Sequence, residues 1–254
     1  MDELRDHGAK RLGDVSGAVD FHRRFATLCD VAENVAFEML ETLPDAVNPL
    51  IVEVGCGTGE TSLAIANGRT DARVLGLDIS PANIAAAEAA RAASRVADRV
   101  SFVATDFMTW PCQQADLVFS QSVLHLINGD TVKLVEKLAN AVRPGGLLVF
   151  TMPRACVRND LLFLLRRIWS LIPKGLADWT ALRLASWIYP KLSVDMIADR
   201  LSYLRFIPQR LDGPTFRELL RGHGLSLVRQ KILRVTTIMQ PSHSFLVWRR
   251  DRPS

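Results

Sequence analysis

Val52-Glu53-Val54-Gly55-Cys56-Gly57-Thr58-Gly59 follows directly on the apolar pair Leu50-Ile51. A buried strand runs into a glycine-rich turn. A helical start then follows in Thr61, Leu63, Ala64, Ile65 and Ala66. Glycines let a backbone approach a ligand where any Cβ would clash. The helix behind the turn begins with N–H groups that have no partner inside the helix. The segment therefore predicts a nucleotide-like ligand at the carboxyl end of a parallel strand.

Downstream, strand and helix patterns alternate. Strand one covers 50–54, and its helix covers about 60–67, ended by Gly68. Strand two covers 73–78. Ser80-Pro81 then supplies an N-cap and a first-turn proline for an alanine-rich helix over 82–94. Strands three and four cover 100–103 and 116–119. An amphipathic helix over 130–142 carries Val132, Leu134, Val135, Leu138 and Ala139 on one face. Pro144-Gly145-Gly146 reads as the turn into strand five, 147–151. A short helix over 215–221 and two apolar strands, 225–237 and 244–249, end the chain as an antiparallel hairpin. Repeated strand–helix–strand units with short loops mean a mainly parallel sheet with helices on both faces.

Two segments stand outside this rhythm. Residues 1–45 give a polar tail and then helical spacing from Val19 to Leu43. Residues 153–210 hold three helical patterns, 160–172, 176–188 and 194–204, punctuated by Pro173, Pro190 and Pro208. Their place after strand five predicts an inserted helical cap over the carboxyl edge of the sheet. The expected division is thus 1–45 helical, 46–152 α/β core, 153–210 cap, and 211–254 completing the core.

Composition sets outer bounds. The chain has 254 residues, 48% hydrophobic and 23% charged, with a formal net charge of +4. That is the balance of a globular protein with a sizeable core. The four cysteines show no C-x-x-C pair and no Cys/His cluster, so neither a disulfide framework nor a metal site is expected. A charged amino terminus without an apolar core is no secretory leader. Together these predict a cytoplasmic protein. The most apolar stretch, 161–172, is broken by Arg166-Arg167 and falls far short of the roughly 20 residues that cross a bilayer.

Two ligands compete for the glycine turn. A dinucleotide fold requires G-x-G-x-x-G. Gly55 and Gly57 fit, but the third place is Glu60 and the third glycine comes one residue early, at Gly59. The pattern Glu53 to Gly59, E-x-G-x-G-x-G, instead resembles the first motif of the class I S-adenosylmethionine-dependent methyltransferases. The resemblance extends over about residues 45–152, with elements in order. Asp78 closes strand two where that family has an acid for the ribose hydroxyls, and a carboxylate can accept from both hydroxyls of a diol. Ile79 matches the apolar residue against the adenine. Asp106 and Phe107 after strand three match the acid facing the adenine amino group and its apolar neighbour. Asp116 opens strand four, and Ser120-Gln121 ends it near the methionine end of the cofactor. Val142-Arg143-Pro144-Gly145-Gly146 matches the turn into strand five. The resemblance implies a seven-stranded Rossmann-like α/β sheet and S-adenosyl-L-methionine as cofactor. It implies Glu53, Gly55, Cys56, Gly57, Gly59, Asp78, Ile79, Asp106, Phe107, Ser120 and Gln121 as cofactor-binding residues.

For the remaining candidates a chemical and a structural reading stand side by side. Glu53, charged in an apolar strand, must be paired; anchoring the turn N–H groups is favoured over catalysis. Cys56 is read as small rather than reactive. His125, after strand four, is the candidate general base, because imidazole titrates near neutrality; a hydrogen-bonded histidine at a helix start is the alternative. Arg23 and Arg24 either close over the cofactor or lie on a solvated helix face. Tyr189 and Tyr203, both in the cap, either line a substrate pocket or pack. The cap's leucines and tryptophans, interleaved with Arg166, Arg167, Lys174 and Arg183, suit a lid, a dimer face or a membrane surface.

The expected activity is methyl transfer to a small, partly apolar molecule, with oxygen as the expected acceptor. A nucleic-acid methyltransferase is a poorer fit: Ser120-Gln121-Ser122-Val123 lacks the acidic-or-Asn, Pro-Pro and aromatic pattern of base modifiers, and no nucleic-acid module is visible. A protein methyltransferase, a non-catalytic cofactor-binding protein and a dehydrogenase complete the set of rivals. Oligomeric state leaves no mark on the sequence.

Overall fold

The structure, a computed structural model, describes residues 38, 41–43, 46–188, 194, 207–233 and 241–252. Its strands are β1 (Leu50–Val54), β2 (Arg73–Asp78), β3 (Val100–Ala104), β4 (Ala115–Gln121), β5 (Val142–Pro153), β6 (Leu225–Ile232) and β7 (His243–Arg250). Its helices are α1 (Glu60–Gly68), α2 (Pro81–Ala92), α3 (Thr131–Ala141), α4 (Val157–Ser170), α5 (Lys174–Ile188) and α6 (Pro214–Gly222). The strands form one sheet in the order β3-β2-β1-β4-β5-β7-β6. The first five pair in parallel, and β7 runs antiparallel to both β5 and β6. The chain winds outward from β1 to β3, then returns to place β4 on the other side of β1. That reversal opens a crevice at the carboxyl ends of β1 and β4, where ligands bind in such sheets.

Side-chain alternation explains why the sheet is buried on both faces. Val52, Val54, Val118, Leu148, Phe150, Leu246 and Trp248 face one core, with Leu134 and Leu138 of α3 and Phe216 and Leu220 of α6. Their neighbours Ile51, Leu117, Phe119, Val149, Phe245 and Val247 face the other, with Ile65 and Ala66 of α1 and Ile84 and Ala87 of α2. Near-continuous apolar strands are the signature of a sheet covered on both sides. Caps fix the helix starts: Ser80 accepts from the Asn83 N–H ahead of α2, and Asp130 accepts from the Val132 N–H ahead of α3.

One expectation is corrected. Pro144-Gly145-Gly146 is not a separate turn, because β5 begins at Val142, directly after α3. The pairing Ala115↔Val142 jumps to Leu117↔Leu147, so the three residues belong to a bulge inside the strand. Gly145 absorbs it at φ 79°. Asp116 holds the same corner, accepting the Leu50 N–H at 2.8 Å and meeting Arg143 at 2.5 Å. It therefore works at the amino end of β4, away from the crevice.

The cap's first two helical patterns appear as α4 and α5. The third, 194–204, lies outside the described residues apart from Val194, as do most of 19–43 and the strand end 234–237. The exit and return of the cap are fastened together. The Asp212 N–H donates to Pro153 O at 2.8 Å, and the Ala155 N–H donates to Asp212 O at 3.1 Å. Asn159 of α4, fully buried, donates to Arg154 O and Ser242 O and accepts from the Ser242 N–H.

Candidate functional site

The glycine turn closes on the end of β2. The Gly55 and Cys56 N–H groups donate to Leu77 O at 2.7 and 3.0 Å, and the Gly59 N–H donates to Cys56 O at 2.9 Å. The Gly57 N–H donates to Asp78 Oδ2 at 2.9 Å. All three glycines have positive φ, from 55° to 81°, a region that L side chains avoid. A Cβ on Gly55 would stand 2.5 Å from Val123 Cγ2, and one on Gly59 2.4 Å from Phe102 Cζ. A pyrophosphate site needs turn N–H groups aimed at the ligand. Here four of them are engaged within the protein, so the cradle fits a nucleoside ligand without phosphates.

Glu53 is buried beneath this turn, but it does not anchor the turn N–H groups as the sequence suggests. Its Oε2 meets Ser62 Oγ of α1 at 2.5 Å; the turn donors go to Leu77 and Asp78 instead. Burial pushes the Glu53 carboxyl up to about 8, the Ser62 hydroxyl pulls it down, and the Asp78 charge adds to the rise. Cys56 is also buried, and burial pushes its thiol up strongly, with Glu53 and Asp78 adding to the rise. It is an inert packing residue.

Asp78 reaches the crevice from the end of β2. Its Oδ1 accepts from the Ser80 N–H at 2.8 Å and from Asn83 Nδ2 at 3.3 Å. With the Gly57 N–H on Oδ2, three of the carboxylate's about four lone-pair sites are used, and one on Oδ2 remains for a ribose hydroxyl. Ile79 beside it is 53% exposed, an open apolar surface of the kind a planar base covers. Asp106 is exposed, and its Oδ1 accepts from the Met108 N–H at 2.9 Å. Phe107 differs from its neighbour: the ring is buried in the core and stacks on Trp110 at 6.5 Å.

At the end of β4, Ser120 is fully buried and its hydroxyl donates to Val54 O at 3.0 Å, tying β4 to β1. Gln121 is half-buried and accepts from Thr61 Oγ1 at 3.5 Å, a long contact that brings α1 to the same edge. Ser122 follows at φ 55° and shares a hydrogen bond with Thr151 Oγ1 at 2.9 Å.

His125 is 1% exposed in the β4–α3 loop. Burial, with His243, Arg166 and Arg210 nearby, holds it well below the usual imidazole range. Arg210 secures this loop by donating to the carbonyls of Leu124, Ile127 and Gly129 and to Thr131 Oγ1. The Gln209 N–H donates to His125 O at 3.1 Å.

Tyr189, Tyr203, Arg23 and Arg24 lie outside the described residues. Nothing in the sequence singles out Ser62, Asn159, Arg210 or His243, since none belongs to a motif. Among the described residues no three His, Cys, Asp or Glu side chains gather as metal ligands, and no helix is long and apolar enough to cross a membrane. An open groove lined by Asp116, Arg143, Gly146 and Arg249 lies at the amino ends of the strands, away from every crevice residue above.

Comparison with known proteins agrees with this geometry. Residues 51–146 match the family model described as a methyltransferase domain. A trans-aconitate 2-methyltransferase of Methylobacterium radiotolerans is 36% identical over 119 residues, covering 46% of this chain and 43% of that protein. The chain thus spans less than half the length of that relative. One of Azoarcus sp. is 29% identical over 206 residues, covering 80% of this chain and 79% of its own. Among solved structures, magnesium protoporphyrin IX methyltransferase from Synechocystis PCC 6803, with bound S-adenosylhomocysteine, has a TM-score of 0.59 at 17% identity. It covers 95% of this chain and 93% of that one, a likeness of fold.

Proposed function

Because this chain belongs to the class I S-adenosylmethionine-dependent methyltransferases, we propose that it transfers a methyl group from that cofactor to an oxygen atom of a small, partly apolar molecule. The observation that carries this reading is the closed hydrogen-bond set of the glycine turn, which suits a phosphate-free adenosyl ligand. Asp78 holds the ribose, and Ile79 covers one face of the adenine, with Asp106 at its amino group. The backbone beside Phe107 completes that side, and Gln121 stands toward the methionine end. S-adenosylmethionine, when bound, supplies a methyl carbon on a positively charged sulfur, so the leaving group is already activated. What the chain adds is position and exclusion of water. His125, buried and neutral, is the proposed base for an acceptor oxygen that carries a hydrogen. Leu162 and Phe163, on the inner face of α4, are buried and support an acceptor with apolar surface.

Titration with S-adenosylhomocysteine and with NAD tests the cofactor. Tight binding of the first is expected, and binding of NAD alone would overturn the reading. His125→Ala should lose turnover while S-adenosylhomocysteine affinity is kept; unchanged turnover removes His125 from the chemistry.

The outer face of the cap supports a second reading, attachment to a membrane surface. Leu161, Leu165, Ile168, Trp179 and Trp187 are each more than half exposed, and Arg183 lies over the Trp179 ring at 5.1 Å. Such a face lies at lipid headgroups. Sedimentation with anionic vesicles should pellet the protein, and a protein left in the supernatant rules this reading out.

A further inference from the structure

The start of β7 brings a second histidine to the proposed active edge. His243 pairs in register with Pro153, the last residue of β5, and β7 is antiparallel to β5. Its first residue therefore stands at the carboxyl ends of the parallel strands. The His243 and His125 rings lie 6.2 Å apart, edge to face, and both are buried. Val123, two residues before His125, fills the space over Gly55 of the turn.

The His243 tautomer follows from its partner. Nδ1 lies 2.9 Å from Pro241 O. A carbonyl oxygen only accepts, so Nδ1 carries the hydrogen and Nε2 keeps a lone pair. That Nε2, like His125 Nδ1, is buried and has no hydrogen-bond partner among the described residues. We infer that His243 is a further catalytic residue, whose Nε2 receives the hydrogen of a hydroxyl on the methyl acceptor and so takes over the base role proposed above for His125, whose ring packs beside it. The inference rests on the methyltransferase reading above and narrows its acceptor to a neutral hydroxyl compound.

Hydrogen-bond chemistry at the free Nε2 lone pair favours a hydroxyl over the other acceptor classes. A carboxylate oxygen would face a lone pair with another lone pair. An ammonium would approach groups of its own sign. The neighbours acting on the His125 ring are His243, Arg166 and Arg210, all cations or potential cations, and the one acting on His243 is Arg166. Burial above all, together with the Arg166 charge, pulls His243 down to about 4 against the Pro241 contact, so the ring meets its ligand neutral. A neutral O–H donor satisfies both conditions. In the transfer, the acceptor oxygen forms a bond to the methyl carbon as the carbon–sulfur bond breaks. That electron pair stays on sulfur, giving S-adenosylhomocysteine. The hydroxyl hydrogen leaves as a proton to His243 Nε2 and passes from there to solvent.

The test uses the full chain saturated with S-adenosylhomocysteine and three matched probes: para-butylphenol, para-butylbenzoate and para-butylbenzylamine. Histidine ring nitrogens are followed by NMR, and methylation is followed with labelled S-adenosylmethionine. The phenol alone should shift the His243 Nε2 resonance to a hydrogen-bonded position and be methylated. His243→Gln and His243→Phe should each lower that turnover by about 100-fold or more, with S-adenosylhomocysteine affinity kept as the check on folding. Preference for the benzoate overturns the inference, as do unchanged turnover in both variants and silent histidines in the S-adenosylhomocysteine-bound protein. A protein that does not bind S-adenosylhomocysteine at all instead brings down the methyltransferase reading, and this inference with it.

Discussion

Asp78 Oδ2 accepts the Gly57 N–H at 2.9 Å and so joins the end of β2 to the turn that follows β1. The same carboxylate is proposed to hold the ribose, so it shapes the cradle and serves as one of its contacts. Asp78→Ala removes both functions at once. S-adenosylhomocysteine should bind about 10- to 100-fold more weakly, the range expected for loss of a charge-assisted hydrogen bond. Isothermal titration of wild type and variant reads this directly; equal affinities refute the assignment.

Gly59 and Gly175 make a controlled pair. Gly59 sits at φ 81° with the Phe102 ring where a Cβ would go, whereas a Cβ on Gly175 meets nothing within 4 Å. Gly59→Ala should cost about 1–3 kcal/mol of stability. Gly175→Ala, early in α5, should be neutral or stabilising by up to about 1 kcal/mol. Urea midpoints of the two variants give the comparison.

The buried acid and the buried imidazoles tilt stability in opposite directions with pH. Glu53 is raised from 4.5 to about 8. Between those values the folded chain keeps a proton that the unfolded chain has lost, so stability falls as pH rises. His125 and His243 are both lowered from 6.5, the second to about 4. Below pH 6.5 the unfolded chain gains protons that the folded chain refuses, so stability falls as pH drops. The maximum should lie near pH 6.5, with about 1 kcal/mol lost between there and pH 8. Glu53→Gln should flatten that alkaline decline. Denaturant melts across the range decide it, and a decline that persists in the variant contradicts the assignment.

Arg217 grips Asp212 with two bonds of 2.7 Å, and the Asp212 side chain is only 1% exposed. Arg217→Met would leave a buried carboxylate without its partner, at a cost of about 3 kcal/mol or more. Because the Asp212 backbone fastens the root of the cap, 153–210 should become the first site of limited proteolysis. Cleavage elsewhere first would separate the ion pair from the cap.

Much of the fold is legible in the sequence because its causes are local. The apolar run of β1, the glycines after it, Ser80 with Pro81, and Asp130 each act within a few residues, and each appears where period and capping chemistry put it. Pro144-Gly145-Gly146 misleads for the same reason. Its composition is that of a turn, and only the partner Ala115 makes it a bulge in β5. In the site, the sequence carries Asp78, Ile79 and Asp106 to strand ends, but not the burial of the Phe107 ring or the engagement of the Ser120 hydroxyl.

By itself the sequence determined the order of strands and motifs along the chain and the kind of ligand the turn accepts, since backbone conformation at Gly55, Gly57 and Gly59 is a property of glycine. The tertiary structure alone decided which polar groups meet. Glu53 found Ser62 rather than the turn, and His125 found His243. Those meetings depend on packing α1 against the sheet and on inserting β7 antiparallel between β5 and β6. Long-range pairing of that kind leaves no periodic trace in either partner's sequence.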